Sequence, residues 1–200
     1  MNNNNNRKKF FSEYIKDANY ALNSLSIKKI DSIYKILKKT IVNKKQIFVA
    51  GNGGSASVAN HFLCDFNKGI KKSSNNKLIP KVISLSNSIE TITAISNDLK
   101  FEDIFSFQME NYARPGDCLV VLSSSGTSKN ILKVIEKALK LKIKIIFITG
   151  FLKKKIKSKN IIHLNINCEN YGITEDIFSS IMHMISQKIR LEYSYKKEIL

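Results

Sequence analysis

Five short apolar runs constrain what this 200-residue chain can fold into more than any other feature. They are Gln46–Ala50, Lys81–Leu85, Cys118–Leu122, Lys144–Thr149 and Ile161–Leu164. Each has the length of a strand, and helical patterns or loops separate them. Leu119–Leu122 is apolar at every position, unlike the alternation of a sheet with one wet face. Near-continuous apolar strands point to a parallel sheet buried on both faces. Ile131, Val134, Ile135 and Ala138 supply the apolar stripe of a helix between the third and fourth runs.

The flanks read as helix. From Phe10 to Asn43 apolar residues recur at helical spacing in two blocks divided near Ser24–Ser26, first Tyr14, Ala18 and Leu22, then Ile30, Ile33, Leu37 and Ile41. A last helix is predicted from near Ile173 to about Tyr193. Residues 1–8 form a polar, asparagine-rich lead expected to be disordered. Lys71–Ile79 begins as a polar loop, and Arg114–Asp117 (RPGD) is a turn feeding the third strand. No linker divides the chain. The expected organisation is therefore one domain over 9–200, with N-terminal helices in 9–43 and an α/β core with a C-terminal helix in 44–200.

Composition excludes several classes. A hydrophobic fraction of 43% suffices for one sizeable core. No apolar run approaches the roughly 18 residues of a membrane span. The N-terminus also lacks the apolar centre of a signal peptide, so a cytoplasmic protein is expected. Cys64, Cys118 and Cys168 are widely spaced, which argues against a disulfide framework or a thiolate zinc site. The formal charge of +17 raises nucleic acid as a partner. Its lysines, however, are scattered (Lys28, Lys29, Lys38, Lys39, Lys44, Lys45, Lys71, Lys72 and Lys153–Lys155) and no reader motif accompanies them. A solvated basic surface is the expectation, able to draw in phosphorylated substrates.

Two strand-to-helix turns carry the chemistry. The first run is followed by Gly51-Asn52-Gly53-Gly54-Ser55, where glycines let the backbone approach a ligand and Ser55 lies at a helix start that favours an anion. It is neither a P-loop nor a complete dinucleotide fingerprint. The third run is followed by Ser123-Ser124-Ser125-Gly126-Thr127-Ser128 and then by the Asn130–Leu139 helix. Five hydroxyls and a glycine at a strand's carboxyl end suit a phosphate, whereas one serine would have met the needs of an N-cap.

His61 and Asp65 lie about 40° apart around a helix, so both can face one ligand. Such a pair can chelate a metal, move a proton, or simply meet at a surface. On the last helix Glu175 and His183 are about 80° apart and share a broad face, while Asp176 and His183 align more closely. A lone histidine among Ile177, Ile181, Met182 and Ile185 also fits a core position. His163, in a strand-like run, is given no role.

Taken in order, GNGGSA (Gly51–Ala56), His61, TAISND (Thr93–Asp98), FEDIFSFQ (Phe101–Gln108), RPGD, SSSGTS-x-N (Ser123–Asn130) and NYGITEDIFSSIMH (Asn170–His183) resemble the sugar isomerase (SIS) domain family, in its phosphoheptose isomerase branch. The resemblance covers nearly the whole chain. It implies a five-stranded parallel sheet flanked by helices in a flavodoxin-like three-layer sandwich, with the helical pair in front, and a homotetramer with active sites between subunits. It implies interconversion of sedoheptulose 7-phosphate and D-glycero-D-manno-heptose 7-phosphate, a step toward nucleotide-activated heptose for surface polysaccharide. Ser123, Ser124, Ser125 and Ser128 would hold the phosphate with Ser55 nearby. Asn52, Gly53 and Asp98 would line the sugar, and Glu175 would contact substrate. Asp65 matches the family's base and His183 its acid partner. Some members bind zinc through residues that match His61, Asp65, Glu175 and His183, implying one Zn2+ per active site.

The chain departs from the family pattern at two places. Asp65 is one methylene shorter than the usual glutamate. Where the family commonly reads Gln-Glu-x-His, this chain reads Glu175-Asp176-Ile177-Phe178. A non-catalytic SIS-domain relative, binding a sugar phosphate or a partner such as a replication initiator, would be expected to lack the acid/base set. This chain keeps it in His61, Asp65, Glu175 and His183.

Overall fold

The fold is given by a computed structural model that describes residues 2–152 and 158–194. The lysines at 153–155 counted above lie outside the described residues. Helices α1 (Asn2–Asn23) and α2 (Ile27–Val42) lead into β1 (Gln46–Ala50). Then come α3 (Gly54–Cys64), a π-helical turn (Asp65–Ile70), α4 (Lys71–Ser73) and β2 (Lys81–Ser84). Helices α5 (Ile89–Asp98) and α6 (Ser106–Tyr112), joined through a 3-10 turn (Phe101–Asp103), precede β3 (Cys118–Ser123). The chain continues through α7 (Lys129–Lys140), β4 (Lys144–Thr149), β5 (Ile161–Asn165) and α8 (Tyr171–Tyr193).

All five strands are parallel, in the order β2-β1-β3-β4-β5. Period-two geometry sorts their apolar side chains into two cores. Ile47, Val49, Cys118, Val120, Leu122, Ile146 and Ile148 face one side and pack under α1, α2, α3 and α8. Phe48, Ala50, Leu119, Val121, Ile145 and Phe147 face the other, under α5, α6 and α7. The register keeps the rows aligned, with Val49 opposite Val120 and Val120 opposite Ile146. This double coverage is why the central strands read as unbroken apolar runs. At the amino end of the sheet, the Asp117 carboxylate accepts from the N–H groups of Gln46 (2.9 Å) and Arg114 (2.7 Å), closing the turn into β3.

Two expectations need correction. Helix α1 extends back to Asn2, so residues 2–8 of the expected disordered lead are helical. Extending an existing helix orders one residue per added hydrogen bond, whereas starting one is costly, so a packed downstream helix can carry weak formers. The Lys71–Ile79 stretch opens as helix, because α3 continues through the π-helical turn to Ser73 before it unwinds.

Candidate active site

The strand order reverses between β1 and β3, and their two following loops part to opposite faces of the sheet. In open α/β sheets that switch point opens a crevice at the strands' carboxyl ends. Here it is a pocket of about 320 Å³ lined by Asn52, Gly53, Gly54, Ser55, Ser123, Ser124, Ser125, Ser128, Tyr171 and Glu175. The pocket therefore gathers the sequence-predicted phosphate residues from both crests.

Each crest is built for close approach. At Gly51 an added Cβ would sit 2.6 Å from the Ser55 carbonyl oxygen, so only glycine fits. Gly53, at φ +53°, caps α3 without any side-chain hydrogen bond. Ser128 begins α7, and its hydroxyl makes no capping bond either. Two helix N-termini thus present uncapped N–H groups to one pocket, the usual make-up of an anion site.

The serine loop is held rigidly from behind. Ser123 Oγ accepts from the Gly126 N–H at 3.1 Å, and Ser125 Oγ accepts from the Thr127 N–H at 3.3 Å. The Ser124 carbonyl accepts from the N–H groups of Gly150 (2.9 Å) and Phe151 (3.1 Å) on the loop after β4. The Ser124 hydroxyl is different. It is buried, at 4% exposure, and has no hydrogen-bond partner among the described residues. Orphaned buried hydroxyls are rare, and this one belongs to a residue that lines the pocket.

Asn52 and Asn130 join the crests through two reciprocal amide hydrogen bonds. Asn130 closes the SSSGTS-x-N motif, and the sequence assigns it no role. The signal available in the sequence is an amide in the first turn of an amphipathic helix, one turn before Val134 on its apolar stripe. Tyr171 had none, because its place at the pocket depends on how α8 docks.

A second constellation lies further along α3 and α8, which run side by side. His61 Nε2 and His183 Nε2 are 3.0 Å apart. Asp65 Oδ2 is 3.6 Å from the first and 3.4 Å from the second. These three form a group able to hold a metal ion. A zinc with ligand bonds near 2.0–2.1 Å would separate tetrahedral donors by about 3.3–3.4 Å, so the donor set and its spacing fit. Two imidazoles and a carboxylate would leave a fourth position open, the arrangement of a catalytic site.

Glu175 does not join that group in this chain. Eight residues on a helix are about 12 Å of rise, so sharing a face with His183 does not bring the carboxylate to it. Glu175 instead accepts from Ser55 Oγ at 3.4 Å and lines the serine pocket. At Gly54 an added Cβ would collide with that carboxylate at 2.1 Å. Asp98 is not brought to the pocket; it is exposed at the end of α5 and accepts from Asn97 Nδ2. Phe178 is fully buried in the core, so its position serves packing here. His163 bonds Thr149 Oγ1 at 2.8 Å and stacks on Phe147. Burial, with Lys29 nearby, holds its pKa below the ordinary imidazole value.

Residues 11–150 match the SIS domain family. A protein of Thermoplasma volcanium described as a probable phosphoheptose isomerase is 32% identical over 182 residues, covering 91% of each chain. The phosphoheptose isomerase of Helicobacter pylori is 32% identical over 161 residues, 80% of this chain and 82% of its own. A solved phosphoheptose isomerase from Francisella tularensis superposes with a TM-score of 0.80 at 26% identity, across 96% of this chain and all of that one.

Proposed function

The chain belongs to the SIS domain family, and from that premise we propose that it is an aldose-ketose isomerase acting on sedoheptulose 7-phosphate. The observation that carries this reading is the run of one seam, α3 against α8, from a phosphate cradle to an acid/base group. Ser55 meets Glu175 at one end, and His61 meets His183 at the other. Six residues on α3 and eight on α8 separate these contacts, roughly 9–12 Å of helix rise. A substrate with a phosphate at one end and a carbonyl at the other spans such a seam.

The chemistry follows from that span. Converting the ketose to the aldose removes a proton from C1 while the C2 carbonyl oxygen gains one, which gives an enediol. Returning a proton to C2 as the O1 proton leaves produces the C1 aldehyde. Asp65 is the base for the carbon-bound proton, and His183 exchanges protons with the oxygens. Their 3.4 Å separation lets them serve adjacent atoms. The cradle holds the distant phosphate through uncapped N–H groups and the Ser124 hydroxyl, and this fixes C1 and C2 against the pair. Ser123, Ser125 and Ser128 complete the phosphate cradle, Asn52 and Gly53 touch the sugar, and Glu175 accepts from its hydroxyls.

His61, Asp65 and His183 would hold a zinc ion, which when bound would polarise the sugar oxygens. We read residues 9–200 as one SIS domain, of which 153–157 and 195–200 lie outside the described residues, and the packing of α8, which supplies His183, on α3 supports that reading. The helices of the described residues include none long and apolar enough to cross a membrane, and a cytoplasmic tetramer with D-glycero-D-manno-heptose 7-phosphate as product completes the reading.

Proton NMR of the protein with sedoheptulose 7-phosphate tests substrate and reaction together. Growth of an aldose anomeric signal, with deuterium entering C2 in heavy water, is the expected result. An unchanged spectrum with and without added zinc would remove the isomerase assignment.

A further inference from the structure

Tyr171 opens α8 at the rim of the cradle pocket and leaves 59% of its surface to water. Its ring meets that of Phe151 edge to face, with centroids 5.4 Å apart and planes at 77°. Phe151 is anchored in turn, because its backbone N–H donates to the Ser124 carbonyl. The tyrosine ring is therefore tied, through one aromatic contact, to the loop that presents the unpartnered Ser124 hydroxyl.

The rest of the pocket lining consists of hydroxyls, an amide, glycines and a carboxylate. Among the described residues, Tyr171 is its one aromatic group. A phosphoryl group satisfies the hydroxyls and N–H groups but gains nothing from a ring face. The carbon chain just beyond the ester oxygen does, since it presents C–H groups that can cover exposed aromatic surface. Resting on the isomerase reading, we propose that Tyr171 is a specificity-determining residue. Its ring packs on the substrate carbons nearest the phosphate ester, and Phe151 holds the ring in that orientation.

The test compares Tyr171→Ala, Tyr171→Phe and Phe151→Ala by steady-state kinetics with sedoheptulose 7-phosphate and by calorimetric titration with inorganic phosphate. Tyr171→Ala should raise KM about tenfold with kcat nearly unchanged, and Phe151→Ala should raise it by a smaller factor. Tyr171→Phe should stay within about twofold of the parent, because the ring is kept. Inorganic phosphate, which has no carbon chain, should bind all four proteins alike. An unchanged KM in Tyr171→Ala overturns the proposal, as does an equal loss of phosphate affinity, which would put the effect in the serine loop. If the parent protein binds phosphate but neither binds nor turns over the sugar phosphate, the isomerase reading itself fails and this assignment falls with it.

Discussion

Asn52 and Asn130 exchange two hydrogen bonds of 2.9 Å across 78 positions of sequence, each amide donating to the other's carbonyl oxygen. The pair spans the point where strand order reverses, and so it sets the spacing of the two crests. Asn130 Oδ1 also accepts from the Ile131 N–H at 2.9 Å, which fixes the amide relative to α7. The pocket width is thereby a consequence of side-chain pairing as well as of the sheet.

Asn130→Ala should destabilise the protein by about 1–3 kcal/mol, because it removes both hydrogen bonds of the Asn52 amide in a part-buried setting. It should also weaken phosphate binding. Urea unfolding and calorimetry on Asn52→Ala, Asn130→Ala and the double variant check this. The double variant should lose little more than either single one, since both break the same pair.

Ser124→Ala should separate stability from binding. Its hydroxyl is buried without a partner, so removing it should leave the unfolding midpoint unchanged or slightly raised. A lost hydrogen bond to a charged phosphate should nonetheless reduce affinity by roughly ten- to a hundredfold. A stability loss with unchanged phosphate binding would mean that the hydroxyl serves the fold.

His183→Ala should lower kcat by about a hundredfold to ten-thousandfold while the dissociation constant for sedoheptulose 7-phosphate moves far less. Metal analysis of freshly purified protein should find up to one zinc per chain, and His61→Ala and His183→Ala should each lose it. A parent enzyme that is fully active without metal and in the presence of chelator would leave proton transfer to Asp65 and His183 unaided.

Glu192 gives the fold an acid-sensitive clamp between α8 and α2. Its carboxylate accepts from Lys38 Nζ at 2.7 Å and from the Tyr34 hydroxyl at 2.5 Å, and these bonds hold its pKa down at about 2. The folded value lies below the ordinary 4.5, so this stabilisation is complete above that pH and is lost as pH falls through about 2. Glu192→Gln should lower the unfolding midpoint at neutral pH and flatten its dependence on pH across that interval. Thermal unfolding at a series of pH values measures both.

Strand positions were legible because burial on both faces leaves a mark in each strand: Gln46–Ala50 and Lys144–Thr149 match the structure end for end. The two crests were legible for a related reason. A backbone that must admit an anion needs glycine or small hydroxyl residues at consecutive positions, and these stand together in the chain. The fate of Glu175 was not legible. Angular position around a helix can be counted from sequence, and so can rise, but which neighbour a side chain reaches at a given height depends on the element packed beside it.

The chain by itself thus determined the layers, the order of the motifs and the position of the two glycine- and hydroxyl-rich loops, since these follow from local periodicity and backbone sterics. Only the tertiary structure decided that Asn52 pairs with Asn130, that Glu175 faces Ser55, and that Asp65 meets both histidines. Those contacts join residues from separate elements, and their geometry comes from how α3, α7 and α8 seat on the sheet. That seating is a sum of many small packing contacts, so no single stretch of sequence encodes it.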